Sequence, residues 1–255
     1  MSTLEKIRDT YLKFHKPGHG SVNDRELVFI QDCITRCRPG LFLEIGVASG
    51  MSSGFIANFM SENGGNVLHS IDINEKFYAD QTKPTGFLIN EIHEGDAPKV
   101  NLHLKKSAFD LMEILGNERI DMGFIDAHHG HPWPTIDTML TMPHAKPGAW
   151  LLHHDLALYK IEEWKTGIGP KHLFDQFGPN EKVIIGHEQA NIGYLILPQG
   201  EFRSFEKQLL SSLMLPWTAQ IHTHFVDRFR AFLPEFWGAE ALSTFDRALG
   251  LYNQK

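Results

Sequence analysis

Residues 41–50 read Leu-Phe-Leu-Glu-Ile-Gly-Val-Ala-Ser-Gly and decide the fold of this 255-residue chain. A short apolar run that contains one acid, Glu44, is followed by small residues at Gly46, Ala48 and Gly50, and then by another apolar segment. This pattern predicts a buried strand that turns sharply into a helix. Small residues let a ligand approach the backbone closely, and the start of a helix offers free N–H groups. The turn is therefore a candidate site for a nucleotide-like ligand.

After this turn, strand-like and helix-like runs alternate as far as residue 198. Repeated β-α units of this kind predict a parallel sheet with helices on both faces, joined by right-handed crossovers. The segment between the second and third strands, which contains Pro84 and Gly86, is predicted to be helical or irregular. The predicted strands cover residues 41–45, 67–73, 100–104, 122–126 and 149–153, with a closing pair at 183–186 and 192–197.

The chain is predicted to have three parts. Residues 1–40 form N-terminal helices and a loop, residues 41–198 form the core, and residues 199–255 form a helical appendage. The appendage is rich in Leu, Phe and Trp at helical spacing, and we expect it to act as a lid or as a dimer contact. Its helices are expected to break at Pro216, Pro234 and Gly238.

The composition argues against several classes of protein. A formal net charge of −7 and a pI near 6.1 disfavour a general binder of nucleic acids or acidic membranes. Residues 1–16 mix charges without a signal region, and no run approaches the roughly 18 apolar residues of a membrane span. Cys33 and Cys37 lie on a predicted helix at a spacing that favours ordinary reduced thiols over a disulfide framework. We therefore expect a cytoplasmic protein.

The spacing of the small residues distinguishes between two kinds of ligand. A dinucleotide-binding turn has the pattern Gly-x-Gly-x-x-Gly, but this chain has Gly46-x-Ala48-x-x-Met51, so the last two glycines are missing. The chain instead carries Glu44-x-Gly46-x-Ala48-x-Gly50, an acid followed by spaced small residues. This pattern resembles motif I of the class I S-adenosylmethionine (SAM) methyltransferases, in particular the small-molecule O-methyltransferase branch with catechol-O-methyltransferase-like and methyltransferase domain 24-like proteins. The resemblance covers roughly residues 25–198.

The resemblance implies a Rossmann-like, doubly wound α/β fold with a seven-stranded sheet that is mostly parallel and has its last strand antiparallel. It also implies SAM as the cofactor, with the motif I segment against its methionine part. Ser107 and Ala108, after the third strand, would lie at the adenine edge. The motif I residues implied to bind the cofactor are Glu44, Gly46, Ala48, Ser49 and Gly50.

Two acids at strand ends complete the cofactor site that the resemblance implies. Asp72 closes the second strand and would bind the ribose hydroxyls, because a carboxylate can accept two hydrogen bonds from a diol. Asp126 matches the acid at the end of the fourth strand and is expected to serve both cofactor binding and catalysis.

Histidine and aspartate residues are concentrated after the fourth and fifth predicted strands. Residues 126–131 read Asp-Ala-His-His-Gly-His, and residues 153–155 read His-His-Asp. Because the two strands are expected to be neighbours in the sheet, both clusters should meet at its carboxyl edge, beside the methyl group to be transferred.

Metal-dependent members of the resembled family have an acid after the fourth strand and Asp-Asp or Asp-Asn after the fifth. The resemblance therefore implies Asp126, His154 and Asp155 as ligands of a divalent metal, which would chelate a substrate hydroxyl and lower its pKa. His154 replaces an acid of that pattern, which shifts the preference from Mg²⁺ towards Mn²⁺, Fe²⁺ or Zn²⁺. Loss of the metal site is the open alternative.

His129 matches the histidine of an Asp-x-x-His pattern in related small-molecule O-methyltransferases, which implies that it is the general base. A histidine that is hydrogen-bonded to the loop backbone is the alternative. For His128 and His131, a solvated position in the loop is favoured. Trp133 is expected either to line the acceptor pocket or to stack within its loop.

Several other aromatic and histidine side chains are weaker candidates. His19 lies in a Gly-rich loop that often closes over SAM in the resembled family. For the appendage we expect packing or subunit contact, with a substrate lid as the alternative. The appendage residues concerned are Trp217, His222, His224, Phe225 and Trp237.

Three functions are compatible with these patterns. The favoured one is SAM-dependent methylation of a hydroxyl on a small molecule such as a sugar, a polyketide or a phenol, by a dimeric enzyme that binds no nucleic acid and no membrane. A metal-dependent hydrolase or lyase-type enzyme that uses the His/Asp cluster is the second. A non-catalytic binding protein with the SAM-binding fold is the third, because a fold alone does not establish chemistry.

Overall fold

The computed structural model describes residues 3–16, 22–93, 95–185 and 191–254, and these residues form a seven-stranded sheet with a separate two-stranded hairpin. The order in the large sheet is β5-β2-β1-β6-β7-β9-β8, and β9 is antiparallel to both of its neighbours. The other pairs are parallel, so the predicted fold class is confirmed. The large sheet contains β1 (Leu41–Ile45), β2 (Val67–Asp72), β5 (Lys99–Leu104), β6 (Ile120–Ile125), β7 (Ala145–His153), β8 (Lys182–Ile184) and β9 (Gly193–Ile196), and the hairpin contains β3 (Lys76–Phe77) and β4 (Asp80–Pro84).

Helices cover both faces of the large sheet. The first begins at the N-terminus and the last three form the end of the chain. In chain order they are α1 (Thr3–Phe14), α2 (Asp24–Cys37), α3 (Met51–Glu62), α4 (Ile89–Ile92), α5 (Leu111–Leu115), α6 (Trp133–Thr141), α7 (Gly169–Phe174), α8 (Glu206–Leu213), α9 (Thr223–Phe236) and α10 (Ala239–Tyr252).

The sheet separates two hydrophobic cores, because successive side chains of a strand point to opposite faces. On β1, Leu43 and Ile45 belong to one core and Phe42 to the other. Helices α1 to α4 cover the Phe42 face, and helices α5 to α10 cover the Leu43 face. All three residues are at most 4% exposed. The site at the end of β1 is thus held between two packed layers.

Of the C-terminal helices, α8 packs on α6, and α10 packs on both α8 and α9. Side chains of all three belong to the same hydrophobic core as α6. The indole of Trp237 is fully buried, and its Nε1 donates a hydrogen bond to the carbonyl oxygen of Met139, at 3.1 Å. On the inner side of α9, Phe229 lies edge-on against Phe245 of α10. The appendage is therefore continuous with the core layer that flanks the sheet.

The break expected at Pro234 is wrong, because this residue lies inside α9. Because Pro234 is close to the end of that helix, its missing N–H removes only one hydrogen bond of the last turns. The amides of Trp237 and Gly238 both donate to the carbonyl oxygen of Leu233 and close the helix. The break expected at Gly238 is present, with a φ of 89° between α9 and α10. Across the described ranges, every helix is too short or too polar to cross a membrane.

Candidate active site at the carboxyl edge of the sheet

A cavity of about 820 Å³ lies at the carboxyl ends of β1, β2, β5, β6 and β7. In an open α/β sheet the ligand crevice forms where the strand order reverses, which here is between β1 and β6. The walls come from the loops that follow these strands and from the appendage. The cavity is of the size that holds small molecules and cofactors.

The turn after β1 presents its backbone to this cavity. Gly46 has a φ of 97°, and a Cβ atom placed on it would lie 2.1 Å from the carbonyl oxygen of Asp126. Only glycine fits this close approach of β1 to the end of β6. Ala48 has a φ of 49°, which is unusual for a residue with a side chain. Gly46, Ala48 and Ser49 line the cavity, and their role in cofactor binding stays a prediction.

Two motif I residues lie behind the cavity wall instead of in it. Glu44 is fully buried, and its carboxylate accepts hydrogen bonds from Ser52, Ser53 and Ser70, at 2.5 to 2.7 Å. Burial raises its pKa to about 7, although the three hydroxyls oppose this shift. Glu44 therefore does not contact the cavity as expected. Its hydrogen bonds connect the start of α3 to β2 instead.

Gly50, which was also expected to contact the cofactor, is not among the residues that line the cavity. It is the N-cap of α3 with a φ of 84°, and a Cβ atom there would lie 2.6 Å from Ile89 and 2.8 Å from Gly86. Its small size is required by the close packing of the segment before α4. Gly50 therefore has a structural role in the packing of α3 against this segment.

Asp72 lines the cavity at the end of β2, but most of its carboxylate is already occupied. Its Oδ2 accepts hydrogen bonds from the amides of Val47 and Ala48, at 3.0 and 3.1 Å, and its Oδ1 accepts one from the amide of Asn74, at 2.8 Å. A carboxylate offers about four acceptor positions. One position on Oδ1 is therefore open towards the cavity, fewer than the two expected for a ribose diol.

The turn after β5 forms another part of the wall. Ser107 and Ala108 line the cavity together with Phe109. The Ser107 amide and hydroxyl both donate to Oδ2 of Asp110, at 2.8 and 3.2 Å, and Arg228 of α9 donates to Oδ1 of the same carboxylate. The polar groups of this turn are thus engaged with one another, and the turn presents apolar surface to the cavity.

The predicted His/Asp cluster comes together at the ends of β6 and β7. His129 Nε2 lies 3.2 Å from Asp126 Oδ1 and 2.9 Å from Asp155 Oδ2. His154 Nδ1 lies 3.2 Å from Asp126 Oδ1 and 3.5 Å from Asp155 Oδ1. All four side chains line the cavity. Asp155 has a φ of 62°, a strained backbone conformation of the kind that functional sites maintain.

The other ring nitrogen of His154 contacts an acid that sequence reasoning missed. Glu26, in the first turn of α2, is 2% exposed, and its Oε2 lies 3.0 Å from His154 Nε2. The same carboxylate accepts hydrogen bonds from the amides of Asn23 and Asn191. Asn191 in turn donates its side-chain N–H to Asp155. Glu26 is the Asn-x-x-Glu acid of a capping box, so the sequence pattern indicated only a helix start.

Charge coupling within the cluster shifts its pKa values. Burial opposes the charged form of each group, but the surrounding carboxylates raise the pKa of His154 well above its usual value and that of His129 to about 9. Conversely, the two imidazoles hold the pKa of Asp126 well below its usual range, against the effect of burial. The contacts with Asp126 and Asp155 therefore keep His129 protonated at neutral pH.

The residues present fit a divalent metal ion. One ligand atom from each of Asp126, His154 and Asp155 can be chosen so that all lie within 4.8 Å of one another. The contact between the far nitrogen of His154 and Glu26 is the arrangement that orients metal-binding histidines in proteins. A set of two carboxylates and one imidazole suits Mn²⁺, Fe²⁺ or Zn²⁺ better than Mg²⁺.

The remaining histidines near the cluster have separate positions. His128 lines the cavity, and its Nδ1 accepts a hydrogen bond from the amide of Gly130. The solvated loop position expected for His131 is wrong, because this side chain is fully buried behind the site, edge-on against His172. Burial lowers the pKa of His131 to about 3. His19 lies outside the described residues.

The appendage contributes directly to the cavity wall. His222 and Phe225 line the cavity, and Phe225 lies edge-on against Trp133, with ring centroids 5.4 Å apart. Trp133 itself lines the cavity, and its Nε1 donates to the carbonyl oxygen of Gln220, at 3.3 Å. Trp217, Trp237 and His224 make packing contacts within the appendage instead: Trp217 against Phe245, Trp237 against Phe202 and His224 against Phe225.

Residues 43–156 match the model of a family described as a methyltransferase domain. These residues include the motif I turn, Asp72 and the His/Asp cluster. Over these residues, which make up less than half of the chain, the sequence is similar to methyltransferase domains. Among curated proteins, none matches this sequence.

Solved structures share the fold of this chain at low sequence identity. The O-methyltransferase TomG from Streptomyces achromogenes, involved in tomaymycin synthesis and bound to SAM, is 19% identical, with coverage of 77% of this chain and 90% of TomG and a TM-score of 0.52. An O-methyltransferase from Bacillus cereus in complex with SAH is 18% identical, with coverage of 77% and 91% and a TM-score of 0.52. The SAH-bound methyltransferase PaMTH1 from Podospora anserina is 13% identical, with coverage of 77% and 88% and a TM-score of 0.54.

Proposed function

We propose that this protein transfers the methyl group of SAM to a hydroxyl group of a small molecule. The observation that carries this proposal is a single cavity lined both by the motif I turn with Asp72 and by the His/Asp cluster. The first set can hold the donor, and the second can hold and deprotonate the acceptor. A hydrolase that uses the cluster alone leaves the motif I turn without a role.

The residues of the cluster can perform the proton chemistry that O-methylation needs. We assign His129, which lines the cavity, as the group that accepts the hydroxyl proton. Because its contacts with both aspartates favour the protonated ring, this role requires a bound cation that offsets their charge. Alignment of the hydroxyl oxygen with the methyl group is the other requirement, and loops fixed at the sheet edge supply it. The ligands for a divalent metal would be Asp126, His154 and Asp155. Such an ion, when bound, would lower the pKa of a coordinated hydroxyl.

The walls of the cavity favour an acceptor that contains a ring. The aromatic side chains that line it come from several segments and include Tyr78 from the hairpin, Trp133 from α6 and Trp164 from the segment after β7. Tyr78 and Trp164 are more than half exposed, so they are available to stack on a ligand. Phenols, sugars and polyketides all present such a ring or an apolar face beside a hydroxyl.

Titration calorimetry with S-adenosylhomocysteine (SAH), the product of methyl transfer, tests the donor site. We expect micromolar binding by the wild type and at least tenfold weaker binding by Asp72→Ala. The matched control is Asp32→Ala, which removes an exposed acid from the far side of α2. Absence of SAH binding to the wild type would refute the proposed function, and metal bound tightly by a protein without SAH affinity would favour the hydrolase.

We also propose that the enzyme is cytoplasmic and dimeric. Both cysteines are free thiols, which suits a reducing compartment. The appendage exposes Leu251 on α10, an apolar side chain available for a subunit contact. Light scattering on the purified protein tests this, and a monomer at micromolar concentration would contradict the dimer.

A further inference from the structure

One of the acids that line the cavity has no partner. Among the described residues, the cavity-lining acids are Asp72, Asp126, Asp137 and Asp155. Backbone amides engage Asp72, and histidines engage Asp126 and Asp155. The carboxylate of Asp137 makes no hydrogen bond or ion pair with any described residue, although the side chain is only 7% exposed. Burial alone raises its pKa to about 7.

An unpartnered buried acid is costly to a fold, and the local packing gives it no structural role. On α6, the neighbouring Ile136, Met139 and Leu140 are at most 1% exposed and belong to the hydrophobic core. An apolar residue at position 137 would satisfy the same environment without burying a polar group. Asp137 is among the residues that line the cavity. A bound ligand that donates a hydrogen bond to this carboxylate would offset the free-energy cost of burying it.

Contacts of α6 place Asp137 at one end of the cavity. It lies one helical turn after Trp133, on the same side of α6. This helix packs against the turn Ala108–Asp110 after β5. Phe225 joins the two segments, with its ring stacked on Phe109 at 5.4 Å and edge-on to Trp133 at 5.4 Å. These contacts connect the side of α6 that carries Asp137 to the end of the cavity formed by residues 106–109.

We propose that Asp137 binds the exocyclic amine of the adenine base of SAM, an inference that rests on the proposed function. The turn at residues 106–109 is where the adenine is expected, and the polar groups of Ser107 and Asp110 are engaged with each other there. The base edge presents an amine donor beside a ring nitrogen acceptor. An ionised carboxylate accepts from the amine, and a protonated one pairs with both groups. Asp137 is thus a specificity-determining residue for the cofactor base.

The test compares two ligands by calorimetry: SAH and its analogue in which a hydrogen atom replaces the amine of the base. We expect the wild type to bind SAH about 10- to 100-fold more tightly, the discrimination typical of a well-placed hydrogen-bonding pair to a base edge. In Asp137→Ala the ratio should fall to near one. Asp137→Asn, whose amide can also pair with adenine, should keep part of the preference. Asp227→Ala, which removes an exposed acid from α9, is the control and should keep all of it.

A stability measurement separates this role from a structural one. Removal of an unpartnered carboxyl should leave the Tm of Asp137→Ala equal to or above that of the wild type, while the base preference is lost. Equal affinity of the wild type for both ligands, or an unchanged ratio in Asp137→Ala, would overturn the assignment of Asp137 and leave the methyltransferase proposal standing. Absence of SAH binding to the wild type would overturn both.

Discussion

His154 Nε2 lies 3.0 Å from Glu26 Oε2, so an acid in the first turn of α2 contacts a histidine at the end of β7. The contact joins the N-terminal helical segment to the His/Asp cluster. It also leaves Nδ1 of His154 facing Asp126 and Asp155. Where the resembled family has an acid, this chain therefore has an imidazole whose orientation is fixed from behind.

We predict that Glu26→Gln weakens binding of Mn²⁺ by about 10- to 100-fold, the usual effect of removing an acid that orients a metal-binding histidine. Calorimetry or the electron paramagnetic resonance signal of free Mn²⁺ measures this directly. Glu91→Gln, which neutralises an exposed acid on α4, is the control and should bind Mn²⁺ as the wild type does. The Tm of both variants shows whether the fold survives. A wild type that binds no Mn²⁺, or an unchanged affinity in Glu26→Gln, would contradict the metal-site proposal.

The close approach of the motif I turn to β6 gives a second prediction, for Gly46→Ala. Gly64 provides a matched control, since its φ of 77° is similarly left-handed but a Cβ atom there would meet nothing within 4 Å. Gly64→Ala should cost about 1 kcal/mol from backbone conformation alone. Gly46→Ala should cost about 1 to 3 kcal/mol more, because the added carbon forces the backbone of Asp126 to move. Urea unfolding measures both, and equal costs would show that the close contact relaxes freely.

The parts that the sequence predicted share a physical basis. Strand-to-helix alternation located the first five strands of the large sheet, and parallel neighbours must bring their carboxyl ends to one edge. That is why Asp126, His154 and Asp155, which follow two strands expected to be neighbours, could be placed together. The turn at residues 41–50 could be recognised because small residues at fixed spacing have few other uses.

The parts that it missed depend on contacts distant in sequence. Glu26 carries the pattern of a helix cap, so its contact with His154 leaves no local signal. The β3–β4 hairpin lacks apolar alternation and contains Pro84, which explains why it was expected to be irregular. The local pattern around His131 is that of a polar loop, but the appendage covers it, with Thr218 accepting a hydrogen bond from its amide.

The burial of His131 predicts a pH dependence of stability. Its ring nitrogens have no hydrogen-bond partner among the described residues, and burial lowers its pKa from 6.5 to about 3. Between these values the unfolded chain binds a proton that the folded chain does not, so this group lowers stability as the pH falls, by about 1.4 kcal/mol per pH unit.

We therefore predict that His131→Leu unfolds at higher urea concentration than the wild type at pH 5, with a smaller difference at pH 7.5. The apolar side chain removes the unpaired nitrogens and the proton linkage together, and a gain of about 1 kcal/mol is expected at neutral pH. The exposed His224→Gln should behave as the wild type at both values. Parallel pH profiles of His131→Leu and the wild type would show that the buried imidazole is paired in solution.

The role of His129 gives the last prediction, because its contacts with Asp126 and Asp155 separate proton transfer from cofactor binding. Glutamine at this position can still hydrogen-bond but cannot accept a proton, so His129→Gln should lower the rate of methyl transfer by about 10²- to 10⁴-fold, the range for loss of a general base. Its affinity for SAH should stay within about twofold of the wild type, since Asp72 and the motif I turn are untouched. Transfer of labelled methyl from SAM to catechol, and to a panel of phenols and sugars, measures the rate.

His128→Gln is the matched control: it changes the adjacent cavity-lining imidazole, which contacts the amide of Gly130 and neither aspartate, so its rate should fall far less. A comparable loss in both variants would mean that the loop acts by its shape, and an unchanged rate in His129→Gln would exclude it as the base.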